Sequence, residues 1–200
     1  MAVFICGLEH YKNKKSTASI RDRIKFGRII FTGRLFGAKE KPMTQQRITT
    51  FLWFDNQAEE AMNFYVSIFG NSKTGNVSRY GDAGPGPKGS VLVASFELDG
   101  QEFMALNGGP RFKFTEAISL VVKCKTQEEV DHYWDRLSQG GQIQQCGWLK
   151  DKFGLSWQIV PTVLGQMMSD PDPKKANRVM AAVLQMTKLD IAKLQQAYQG

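Results

Sequence analysis

The chain has 200 residues, 42% of them hydrophobic, 22% charged and 11% aromatic, which is enough apolar material for a substantial core and excludes disorder throughout. Its formal net charge of +7 resides in Met1–Pro42, which holds ten basic and three acidic residues, while the remaining 158 residues hold 16 of each. A neutral body removes the electrostatic reason to expect nucleic-acid binding by the main domain, so no specific nucleic-acid or membrane partner is predicted.

Residues 1–42 interleave Lys12, Lys14, Lys15, Arg21, Arg23, Lys25, Arg28 and Arg34 with isolated apolar residues. Ile24, Ile29, Ile30 and Phe31 belong to no apolar run of about 20 residues, and the basic residues follow a short apolar start, the reverse of an export signal. The segment is expected to be a disordered or non-native extension, with a globular pattern beginning at Met43; a targeting peptide or an arm for an anionic surface are the alternatives. Cys6, Cys124 and Cys146 lack the close spacing of a metal motif, so free thiols in a cytoplasmic protein are expected.

From Met43 the paired-module domain is expected to run to residue 161. Ile48–Phe54 reads as a first strand, and Gln57–Phe69 as a helix capped by Asp55 or Asn56, with Ala58, Ala61, Met62, Tyr65 and Phe69 on its apolar stripe. A short strand over Asn76–Tyr80 precedes the Gly/Pro-rich stretch Gly81–Gly89, which fits a rim loop. Ser90–Leu98 and Gln101–Leu106 then form two strands about the hairpin signal Asp99-Gly100.

The same order of signals returns without an obvious sequence repeat. Ala117–Lys123 is a strand, Thr126-Gln-Glu-Glu is a capping box opening a helix through Leu137, and Phe153–Val160 is a closing strand after Gly147–Asp151. Residues 48–109 and 116–161 therefore each read as a βαβββ unit. The fold class is α+β, paired βαβββ modules with C-terminal helices, and the two modules are expected to enclose a cavity. Residues 162–200 form a helical packing segment: a short helix to Ser169, a break at Asp170-Pro-Asp-Pro173, a helix from Lys174 to Met186 and a final turn or two over Asp190–Tyr198.

ITTFLWFDNQAEEAMNFY at 48–65 and QCGWLKDKFGLSWQIVP at 145–161, with LDGQEFMALNGGP at 98–110 and DPDPKKANRVMAAVLQM at 170–186, resemble the vicinal oxygen chelate superfamily, in particular its PhnB-like branch. That branch is often labelled 3-demethylubiquinone-9 3-methyltransferase-like. The resemblance implies paired modules and a homodimer. Enzymes of the superfamily commonly hold a divalent metal through His or Glu, and the resemblance carries those positions to Thr50, Leu106 or Asn107, Ala117 and Gln158. None is ionisable, and His10 and His132 are the only histidines. A metal site is therefore not expected, and no cofactor is predicted. Gly81–Gly89 lacks the strand-to-helix setting of a nucleotide or methyl-donor loop.

Ligand-binding candidates are Thr50, Leu52, Asn107, Ser119 and Gln158, placed on one inner surface by strand alternation and by the module alignment. Trp53, Cys146, Trp148, Lys150 and Trp157 are further cavity candidates, each with an alternative role in packing or at the surface. The expectation is a small-organic-molecule-binding protein without metal. The alternatives are an enzyme acting on an oxygen-containing small molecule, with or without a divalent metal, and a structural or interaction protein.

Overall fold

The computed structural model describes residues 47–200, so the expectations for Met1–Pro42, Cys6 and His10 lie outside the described residues. The first module runs β1 (Thr50–Phe54), α1 (Ala58–Val66), β2 (Ser72–Arg79), β3 (Val91–Leu98) and β4 (Gln101–Asn107). The second runs β5 (Ser119–Cys124), α2 (Gln127–Leu137), β6 (Gln142–Ile143), β7 (Trp148–Lys150) and β8 (Ser156–Pro161). Each builds a four-stranded sheet of equivalent order, β1-β4-β3-β2 and β5-β8-β7-β6. In both, the first strand pairs in parallel with the last and the remaining pairs are antiparallel, so the paired βαβββ architecture is present. Three helices follow: α3 (Thr162–Met168), α4 (Pro173–Leu184) and α5 (Ile191–Gln199).

Local chemistry explains most of the boundaries. Asp99 and Gly100 both take positive φ, 48° and 80°, in the turn joining β3 to β4. The Thr126 hydroxyl accepts from Glu129 N–H, and the Glu129 carboxylate reaches back to the Lys125 N–H at 2.5 Å, so the α2 start is satisfied from both directions. Asp172 caps α4 with Pro173 in its first turn, and Asp190 caps α5.

The start of α1 departs from expectation. Neither Asp55 nor Asn56 caps it. Gln57 occupies the cap position without a side-chain bond, and the Ala58 N–H instead donates to Asn107 Oδ1 at 2.8 Å. Asn107 Nδ2 in turn donates to the Val91 carbonyl at 3.1 Å, so one side chain at the end of β4 ties the helix to β3.

The helix-bearing faces of both sheets share one apolar cluster. Leu52, Phe54, Phe96 and Phe103 from the first sheet, Tyr65 from α1, Trp134 from α2, and Leu149, Trp157 and Ile159 from the second sheet all belong to it. Tyr65 and Phe69 both lie against the Trp157 ring, with centroids 5.5 and 5.7 Å away, and Phe54 meets Phe153 at 5.8 Å. Such aromatic pairs contribute about 0.5–1.5 kcal/mol each beyond area burial, which favours a fixed relation between the modules. A second cluster joins Cys146 and Val160 to Leu164, Met167, Val179, Val183, Leu189 and Leu194, with half-buried Trp148 packed against it. Thus α3–α5 pack on the second module, and most of the apolar stripe of α4 is covered.

Candidate ligand-binding face

Alternation along β8 divides its buried side chains between two destinations. Trp157 and Ile159 enter the shared core, so Ser156, Gln158 and Val160 lie on the opposite face. The strand register extends that face sideways. Ser119 of β5, Ser156 of β8 and Lys150 of β7 form one row, and Val121, Gln158 and Trp148 form the next. Gln158 Nε2 donates to Ser119 Oγ at 2.7 Å. The other end of that amide, Gln158 Oε1, and the neighbouring Ser156 Oγ are buried and have no hydrogen-bond partner among the described residues. Ser156 is fully buried and Gln158 is 5% exposed. A buried unpaired polar atom costs about 1–3 kcal/mol, so two adjacent ones on a single face require an external partner or a destabilising arrangement.

Beside this row, Lys150 Nζ forms an ion pair with Glu116 Oε1 at 2.5 Å, and Gln144 Nε2 donates to the same oxygen at 3.4 Å. The Lys150 hydrogen bond is the largest influence holding the Glu116 carboxyl below its usual range. Lys150 also borders a cleft of about 430 Å³ whose lining includes Trp53, Phe112, Phe114, Gly141 and Phe153.

The other sequence candidates occupy different places. Leu52 lies in the shared core with Trp157, hence on the helix-bearing side. Thr50 has the same strand parity as Leu52, and its hydroxyl accepts from Gln101 Nε2 at 3.3 Å. The expected common surface of Thr50 and Leu52 with Ser119 and Gln158 is therefore not formed; period-2 geometry gives the opposite face of β1 to Phe51 and Trp53 instead. Asn107 is engaged as the α1 cap. Trp53 Nε1 donates to the Gly109 carbonyl at 2.9 Å, and its ring meets Phe112 edge-on. Trp157 is a core residue. Cys146 sits at a positive φ of 62°, and its N–H donates to the Met186 carbonyl, which places it at the junction with the C-terminal helices.

Ser119, Gln158, Lys150 and Trp148 are thus brought together, and Ser156, Val121 and Glu116 join them. Ser156 lies two residues before Gln158 on β8, so period-2 alternation accounts for its place there. No local signal pointed to Glu116, which reaches Lys150 only through the fold.

Asp151 forms a separate polar centre inside the core. Its Oδ1 accepts from the Phe153 and Leu155 N–H groups at 2.9 and 3.1 Å, and its Oδ2 accepts from the Tyr65 hydroxyl at 2.7 Å and Trp157 Nε1 at 2.8 Å. Burial is the main cause pushing the Asp151 carboxyl above its ordinary value, against the four donors that favour the anion. Burial, reinforced by the charge of Asp151, pushes the Tyr65 hydroxyl well up, so Tyr65 remains a donor. With all four contacts internal, Asp151 fastens the first module to the second. Exposed His132 of α2 also reaches the first module: its Nε2 lies 3.0 Å from the Ile68 carbonyl.

No group of three His, Cys, Asp or Glu side chains among the described residues is arranged to hold a metal ion. The positions suggested by resemblance offer Thr50 and Asn107, both engaged in other bonds, Leu106 or Ala117 without a donor, and the Gln158 amide. This donor set does not fit a transition metal. Gly81–Gly89 connects antiparallel β2 and β3, and a Cβ at Gly84 or Gly86 would come within 2.5 Å of the Tyr80 ring. Close packing against Tyr80 accounts for those glycines, and the loop presents no helix N-terminus to a phosphate. No described helix is long and apolar enough to cross a membrane.

The family model described as 3-demethylubiquinone-9 3-methyltransferase matches residues 46–160. Among solved structures, the chain is similar to a PhnB protein from Bacillus cereus, with 46% identity over 58% of this chain and 100% of that one and a TM-score of 0.55. It is also similar in fold to protein PA1353 from Pseudomonas aeruginosa, with 20% identity over 58% of this chain and 98% of that one and a TM-score of 0.50. No curated protein matches significantly.

Proposed function

The chain belongs to the PhnB-like branch of the vicinal oxygen chelate superfamily, and from that membership and the unpaired polar groups on the outer face of its second sheet we propose that it binds a small organic molecule through side chains, without a protein-held metal, in a cavity completed by a second copy of the chain. The unpaired Gln158 Oε1 and Ser156 Oγ carry this reading, because a ligand able to hydrogen-bond with them removes their desolvation penalty. The methyltransferase label of the family adds no step, since the Gly-rich loop joins two antiparallel strands.

Exposed apolar residues support the second copy. Phe51 is 53% exposed, Val121 45% and Ile118 73%, and alternation sets Phe51 and Val121 on the faces turned away from the shared core. Covering such side chains yields about 25 cal/mol per Å² of apolar area, and a twofold arrangement lets the same surfaces be covered in both copies.

A thermal-shift screen of neutral and charged small molecules against the full chain tests the binding reading. A ligand at 100 times its Kd stabilises by about 2.7 kcal/mol, and Gln158→Leu abolishes the effect of authentic ligands. Sedimentation equilibrium tests assembly: twice the chain mass is expected, with dissociation favoured in Phe51→Glu. Stoichiometric tightly bound divalent metal, or ligands whose binding ignores Gln158, would overturn the proposal.

A further inference from the structure

Resting on that ligand-binding reading, we infer that the ligand is a small organic acid whose carboxylate is held by Lys150, Ser156 and the Ser119–Gln158 pair, with its apolar part over Val121 and Trp148. The argument begins with donor balance. Lys150 supplies an ammonium group, the unpaired Ser156 hydroxyl supplies a rotatable O–H, and Ser119, which accepts from Gln158, retains its own O–H for donation. Turning the Gln158 amide makes Ser119 donate to its oxygen and leaves an N–H at the free end in place of the Ser119 O–H, so in either orientation the pair supplies one donor. These groups converge by register on two adjacent rows of β5, β8 and β7. A carboxylate is acceptor-only and bears the charge that complements Lys150, so it satisfies this set better than a neutral amide or alcohol.

Two further observations agree. Glu116 already places a carboxylate oxygen 2.5 Å from Lys150 Nζ, which shows that the lysine is oriented to receive this group. Glu116 is on the segment before β5 and its side chain is 50% exposed, so an incoming acid can replace it at Lys150. The adjoining row then offers Val121 and half-buried Trp148 to the apolar part.

The experiment measures binding of benzoate, phenylacetate and butyrate, each beside its primary amide, to the full chain by calorimetry or ligand-detected NMR. Acids are expected to bind about tenfold more tightly than their amides. Lys150→Met should bring acid and amide to parity, whereas Glu116→Gln, which removes the competing carboxylate, should strengthen acid binding several-fold and leave amide binding unchanged. The two substitutions act in opposite directions, so a general loss of folding cannot produce the expected pattern. Equal affinity of acids and amides in the unaltered chain, or an acid preference that survives Lys150→Met, would overturn the carboxylate assignment while leaving small-molecule binding in place. Absence of binding by these probes and by every member of the broader screen would overturn both readings.

Discussion

Asp151→Asn is the most discriminating perturbation of the joint between modules, because it preserves shape while changing one acceptor into a donor. All four neighbours of the carboxylate donate: the Phe153 and Leu155 N–H groups to Oδ1, and Tyr65 and Trp157 to Oδ2. An asparagine keeps its oxygen on the two backbone donors and turns its NH2 toward Tyr65 and Trp157. The Tyr65 hydroxyl can rotate to accept, but the indole N–H has no such option and is left buried and unpaired. That loss is about 1–3 kcal/mol, partly offset by removal of a buried charge; a net destabilisation of about 2 kcal/mol at pH 7 is expected. For a chain of this size it corresponds to a Tm lower by about 4–8 °C, measurable by calorimetry or urea unfolding.

The pH dependence has a definite sign. Asp151 has a folded-state pKa raised above 3.8, so its proton is retained to higher pH in the folded protein than in the unfolded one. The stability linked to this proton is fully present below 3.8 and is lost as pH rises through the folded value. Asparagine does not titrate, so the gap between the parent chain and Asp151→Asn should widen on acidification through that window. A loss below about 0.5 kcal/mol at pH 7 would refute the assigned network, and a gap that narrows on acidification would refute the dominance of burial over the four donors.

Asn107→Ala removes the acceptor for Ala58 N–H and the bond to the Val91 carbonyl, so urea unfolding should show a loss of about 1–2 kcal/mol. Gly108→Ala introduces a Cβ that overlaps the Trp53 ring; the indole must move, with a cost of about 1–3 kcal/mol and a change in tryptophan fluorescence. Burial pushes the Cys124 thiol up to about 12, so it should resist Ellman's reagent at pH 8 in the folded protein and react after denaturation, as peptide mapping would verify.

The sequence made the module architecture legible because its signals are local: Asp99-Gly100 for a hairpin, Thr126-Gln-Glu-Glu for a helix start, and Asp172-Pro173 for another. Features that depend on distant residues were not legible. The α1 cap lies 49 positions from Ala58, and Asp151 meets Tyr65 across 86 positions. On β1 the run Phe51-Leu-Trp-Phe54 is apolar at every position, so periodicity could not determine which alternate set entered the core. That ambiguity placed Leu52 on the wrong face of the candidate site. On β8, polar Ser156 and Gln158 alternate with Trp157 and Ile159, and the division was recoverable from residue type.

Strand β8 brings these separate consequences together. Its core-facing Trp157 is held by Asp151, its opposite face presents Ser156 and Gln158, and Val160 enters the cluster with α3–α5. The backbone cannot rotate one set of side chains without displacing the other, because successive residues are fixed on opposite faces. Asp151 and the C-terminal helices therefore restrain Gln158 and Ser156 without touching a ligand themselves. Changes in that support need not alter binding chemistry directly to alter the position of its two unpaired polar groups. Under the proposed binding role, the buried Asp151 network bears on ligand affinity as well as on the stability of the joint between modules.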